Sequence, residues 1–334
     1  SFPTRRSSDL PQSLNLLKYL PQIDPTVDTL GCGSVSYAIP SIISDNQFVT
    51  RVDWTINSRH NLYARYFIDG YQAPAFFSPT NILITTQSGN IQRVQSFTMG
   101  ESWAISPRTV NTAHLTISRR KNIRGYAAND INAATIGVNL YQAVPNGLQL
   151  TVSNKFTIGG GTNSVSHFND NALAFSDDIT MLRGKHQLVF GGEWVQNQLN
   201  IGNAYQSNGN FGFDGRYSLN GPNGGATGGD PNLDFLMGTM GTFQQSKQQQ
   251  NALRAPIPSL YIQDTYHAFQ GLTLVAGVRW APEFLPVDVF NRGTTFDMGA
   301  FLANKGSSIY PNAPAGTFFY GDPGVSRQFT KNSP

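Results

Sequence analysis

The chain has 334 residues and a net charge of +3, with 39% hydrophobic and only 13% charged residues. That charged share is about half of what a soluble protein carries. No stretch reaches the roughly 18 apolar residues that a membrane-spanning helix needs. Lys and Arg are scattered singly, so no basic cluster points to nucleic acid, and Arg119-Arg120-Lys121 reads as a solvated strand end. Cys32 is alone, which excludes a disulfide or a multi-cysteine metal site within the chain. Glycine, aromatics and uncharged polar residues make up the balance, as an antiparallel barrel with a wet interior and a lipid-facing exterior requires.

Ser1–Leu10 (SFPTRRSSDL) resemble a translated sequencing adapter and are set apart from the fold as an expected artefact, in what would be a piece of a longer chain. Residues 11–46 are irregular and punctuated by Pro and Gly, with room for a short helix over Leu14–Leu20. Strict alternation then begins. Phe48, Val52, Trp54 and Ile56 share one face of a strand, and Arg51, Asp53 and Thr55 the other. After the tight connection Asn57–His60, Leu62, Ala64, Tyr66 and Ile68 alternate with Arg65 and Asp69.

The same hairpin recurs over 92–120, 171–199 and 258–281, with short tips at Ser106–Thr109, Arg183–His186 and Phe269–Gly271. Glu101 and Asp177 break the pattern by falling on apolar parity; a bulge, or a position beyond the hydrocarbon band, could absorb each. Between hairpins the connections are long and polar: 70–91, 122–170, with Gly159-Gly160-Gly161, and 201–255, with Gly221-Pro222-Asn223-Gly224-Gly225. Local strands over 148–158 and 210–217 are expected to extend hairpins above the membrane, and 240–251 is ambiguous between loop and strand. Long loops alternating with short turns fit a transmembrane barrel with periplasmic turns and extracellular loops. The core segments match the roughly 9–11 residues of a tilted spanning strand. Trp54, Tyr63, Trp103 and Tyr266, near the short turns, are the candidate interfacial aromatics.

Gln47–Trp54 followed by His60–Tyr66 resembles the first barrel hairpin of Oar-like TonB-dependent receptors, which carry a carboxypeptidase-regulatory-like domain and are abundant in acidobacteria. Ser176–Thr180 through Arg183-Gly184-Lys185-His186 to Phe190–Glu193, then Asp234–Gly238, then Tyr261–Asp264 through Leu272–Leu274 to Gly277–Trp280, resemble further family segments in order. Tyr310–Pro314 and Gly321–Gly324 are similar to the extracellular loop that follows. The resemblance implies an incomplete all-β transmembrane barrel, supplying eight or more strands of about 22. It also implies energised import, with a plug that contacts the TonB complex lying outside this chain. Residues 11–46 would connect plug to barrel, 47–282 would be partial barrel, and 283–334 a truncated extracellular loop.

No metalloprotease, nucleophile-elbow, P-loop or dinucleotide fingerprint occurs, so no catalytic role, cofactor or metal is expected. His60 and His186 read as solvated turn residues, and Asp177-Asp178 cannot converge on one ion because adjacent strand residues point to opposite faces. Arg51, Asp53, Arg65, Asp69, Glu193 and Arg279 are expected to face the lumen, where charge stays hydrated. The expected partners are outer-membrane lipid, the TonB complex and an unidentified ligand; siderophore, oligosaccharide, peptide and vitamin B12 all remain open. A passive porin-type barrel and a secreted soluble β adhesin or lectin are the alternatives.

Overall fold

A computed structural model describes residues 9–23, 33–159, 164–218 and 229–327. Most of the adapter-like start, Cys32 and the Gly221–Gly225 segment lie outside the described residues. In chain order the elements are α1 (Pro11–Leu17), β1 (Ser44–Asn57), β2 (His60–Ala73), β3 (Gly89–Ser106), β4 (Thr109–Gly125), β5 (Gln149–Val152), β6 (Phe156–Ile158), β7 (Ser166–Arg183) and β8 (His186–Asn203). They continue with β9 (Asn210–Phe213), α2 (Pro231–Met237), β10 (Thr242–Gln244), β11 (Gln249–Phe269), β12 (Leu272–Trp280), β13 (Val287–Asp288), β14 (Thr294–Phe296), α3 (Met298–Leu302) and β15 (Thr317–Phe319).

Eight long strands form one antiparallel wall in the order β1-β2-β3-β4-β7-β8-β11-β12, with β13 added beside β11. β1 and β12 are not paired with each other, so the wall is open rather than a closed eight-stranded barrel. Because side chains alternate at period two, the register sorts residues into two faces. Val52, Ala64, Met99, Leu115, Phe175, Trp194 and Pro258 fall in one row across seven strands. One residue along, the row reads Asp53, Tyr63, Gly100, His114, Ser176, Glu193 and Ser259. The apolar row is not a core: Val52 is 65% exposed, Phe175 50% and Trp194 48%. A continuous exposed apolar face of this extent is stable only against an apolar medium.

The two misfits are resolved without bulges. The ladder passes Glu101 and Asp177 with unbroken register. Both lie near the short turns and find partners, Glu101 with His60 at 2.6 Å and Asp177 with the Asn111 amide.

The buried core lies in the long connections. Strands β10-β9-β5-β6 form a second sheet, in which β5 and β9 run parallel. The expectation that 148–158 and 210–217 extend hairpins is therefore corrected: their apolar side chains seek each other, not the wall. Residues 240–251 split into β10 and the start of β11. Leu16 of α1, Ile82, Ile136, Leu150, Val152, Ile158, Phe211, Phe213, Phe235 and Leu236 close one cluster. Phe235 meets Phe156 and Phe213 edge-on at 5.7 and 5.5 Å. The helix that supplies Phe235 has Pro231 at its start, an Asp230 cap on the Asn232 N–H and left-handed Gly238 at its end.

α1 begins at Pro11 rather than Leu14. It is tied to α2 by Ser13 Oγ donating to the Phe235 carbonyl at 2.6 Å, and by the Leu10 N–H to the Leu236 carbonyl at 2.7 Å. Gly147, at φ +99°, lies against the ring of Tyr126, leaving no room for a Cβ. Burial, with the Asp130 charge nearby, pushes the Tyr126 phenol up. Desolvation raises the Asp130 carboxyl to about 7, opposed by the Ile131 N–H that it accepts at 2.8 Å.

Candidate functional site: the polar face of the wall

Arg51 and Asp53 lie two residues apart on β1 and so share a face. Arg51 Nε and Nη2 donate to Asp53 at 2.6–3.0 Å, and the guanidinium sits 4.2 Å over the Tyr63 ring. The pair matters because Arg51 is directly opposite Arg65, and like charges at that position repel. Tyr63 and His114 stand 6.0 Å apart, flanking Gly100 on the neighbouring strand. A Cβ at Gly100 would run into the Tyr63 ring and lie 2.8 Å from the His114 ring, so glycine is what lets both rings lie down on the sheet.

A second cluster crosses β7, β8, β11 and β12. Asp178 lies over Gly191 and accepts from the Tyr261 hydroxyl at 2.5 Å. Arg279 Nη2 donates to Ser259 Oγ at 2.9 Å, stands 3.8 Å from Glu193 Oε2, and has its guanidinium 5.9 Å from the Tyr261 ring. Further along the same face Arg120 Nε donates to Asp170 at 2.6 Å, so that basic run is in part an ion pair. Register puts Arg65 and Asp69 on this face as well, on β2.

The six expected charges therefore share one face but do not form one site. Arg51 with Asp53 and Glu193 with Arg279 are neighbours; the two groups are at least five strand steps apart, about 24 Å along the wall. Such half-exposed pairs contribute little stability on their own.

On the apolar face are Trp54, Trp103 and Tyr266. Tyr63 is corrected: nearness to a turn suggested an interfacial role, but its parity and its contact with Arg51 put it on the polar face. The structure also corrects the reading of His60 and His186 as merely solvated. His60 stacks on Trp103 at 5.3 Å with Nδ1 held by Glu101, and His186 stacks on Tyr266 at 4.5 Å with Nδ1 held by Asp264 at 2.6 Å. The two trios are register-equivalent. In each the ring is opposite the His and the carboxylate two residues before the ring. Sequence reasoning missed them because the partners are 41 and 78 residues away. Among the described residues no three His, Cys, Asp or Glu side chains converge as metal ligands.

The profile of outer membrane beta barrel domains matches residues 2–334. No curated protein matches the chain. Among solved structures, the outer-membrane transporter YddB of Escherichia coli is similar with a TM-score of 0.43 and 10% identity, over 72% of this chain and 27% of that one. The chain thus spans about a quarter of that transporter. With two-faced strands, an exposed apolar wall and a family match along nearly its whole length, the chain belongs to the outer membrane beta-barrel domain family, and its place is the outer membrane.

Proposed function

We propose that this chain is wall and mouth of a TonB-dependent receptor that takes up a ligand across the outer membrane, and that it has no catalytic role. The observation that carries the reading is the folded cap. Three successive long connections and α1 close over a single apolar cluster instead of hanging as separate polar loops. A surface that must capture a ligand before transport gains from such preorganisation, whereas a passive pore does not. The ordered motif series from Gln47 to Trp280 supports the Oar-like type, and the paired charges of the polar face suit a lumen against which a plug can rest.

The test uses the full-length gene product in a planar bilayer, with cross-linking to TonB in cells. A plugged receptor gives no steady conductance until urea loosens the plug, and it cross-links to TonB. Ohmic conductance from the outset without TonB cross-links would select the passive porin instead.

A further inference from the structure

The four short turns of the wall share one construction. Each has a two-residue tip: Ser58-Arg59, Pro107-Arg108, Gly184-Lys185 and Gln270-Gly271. In three of the four the second tip residue is basic and exposed, and no tip carries an acid. The backbone fixes these three alike. The carbonyls of Arg59, Arg108 and Lys185 accept hydrogen bonds from Ala104, Leu182 and His267 of the next strand, each at 2.8 Å. Three cations thus stand at equivalent points along one rim, each on its own hairpin. Hairpins repeat every two strands, about 10 Å.

Directly inside this rim, on the lipid-facing side, are the two His trios. Arg59 precedes His60 and Lys185 precedes His186 in sequence, so a cation and an imidazole meet at both turn–strand junctions. With Nδ1 held by Glu101 or Asp264, each imidazole keeps Nε2 as its remaining polar atom. Trp103 and Tyr266 place a flat ring beneath it. The Lys185 ammonium also donates to the Ala268 carbonyl, which leaves two of its three protons for another acceptor.

We propose that this rim binds the headgroup phosphates of anionic phospholipids in the leaflet that the short turns meet. The pieces match that ligand. Cations at the membrane edge complement phosphate oxygens, and aromatic rings one step deeper sit at the headgroup–acyl boundary. With Arg183 at the end of β7, four exposed cations stand against three carboxylates near the turns on the lipid-facing side, Glu101, Asp177 and Asp264, which leaves the rim net positive and favours anionic over zwitterionic lipids. The inference needs only the outer-membrane wall and is independent of the transport reading.

The full-length protein would be excised from membranes of known composition with its surrounding lipid, and the retained phosphatidylglycerol compared with phosphatidylethanolamine. Enrichment of phosphatidylglycerol at least threefold over the bulk membrane is expected. It should vanish in the R59Q/R108Q/K185Q variant and persist in R59K/R108K/K185R. On the unaltered protein, high salt should release the enriched lipid, because exposed charges are screened. A wild-type shell of bulk composition, or enrichment that survives either the Gln variant or high salt, would overturn the proposal.

Discussion

Replacing Phe235 by Ala separates the cap from the wall. Phe235 is 1% exposed and is the largest fully buried side chain among the described residues, with two aromatic rings packed edge-on against it. Removing a buried Phe costs about 3–5 kcal/mol, which includes the cavity left behind. The ring contacts, roughly 0.5–1.5 kcal/mol each, place the site toward the upper part of that range. At about 1.4 kcal/mol per tenfold, cap opening should become more frequent by a hundredfold or more. Hydrogen exchange on the full-length protein reads this directly. Amides held within the cap, such as Ser153 bonded to the Phe213 carbonyl and Gly241 to that of Gly212, should lose protection by that factor. Amides of Met99, Leu115 and Phe175 in the wall should be unchanged, because Phe235 makes none of the wall's ladder bonds. Equal loss in cap and wall, or no loss in either, would refute the claim of a separately cored cap.

Three further outcomes follow. Folded Asp130 holds its proton up to about 7 against an ordinary value of 3.8, so the cap binds that proton more tightly than the opened loop does. Cap stability should therefore be greatest below about pH 4, fall as pH rises to about 7 and level off beyond it, by at most about 4 kcal/mol. Asp130→Asn should flatten this profile in limited proteolysis at graded pH, and a slope that persists would contradict it. Gly147→Ala, at a left-handed φ and against the Tyr126 ring, should expose the 126–148 connection to protease while leaving the wall folded. Met99→Arg should destabilise the wall by about 2–4 kcal/mol in urea titration in lipid, while Ser96→Arg on the polar face costs little. Equal costs would remove the distinction between faces.

The wall was legible because a strand with one apolar face writes its geometry into alternate residues, and a short tip fixes the pairing of the two strands it joins. That is why Arg51, Asp53, Glu193 and Arg279 could be assigned to one face. Tyr63 was misjudged because distance from a turn was weighed above parity, which by itself separates Tyr63 from Leu62 and Ala64. The cap was not legible. Leu16, Ile82, Val152, Phe213 and Phe235 lie in aperiodic stretches rich in Gly, Pro and Asn, and contacts such as Ser13 to Phe235 span 222 residues. No local period announces such a core. The His trios failed for a related reason: each half reads as an ordinary turn or strand end until the register of the next hairpin is known. Glu101 and Asp177 looked like faults in the alternation, but their polar partners near the turns let them keep apolar parity without a bulge.

The central claim is that the face carrying Val52, Met99, Leu115 and Phe175 meets lipid and the opposite face meets water. It is tested most directly by spin labels placed one at a time along β4, from Thr112 to Ser118, in the full-length protein with Cys32→Ser, reconstituted in lipid. Collision with oxygen, which concentrates in hydrocarbon, should peak at Ala113, Leu115 and Ile117. Collision with a water-soluble nickel chelate should peak at Thr112, His114, Thr116 and Ser118. A smooth profile without a two-residue period, or one with the two sets exchanged, would contradict the account.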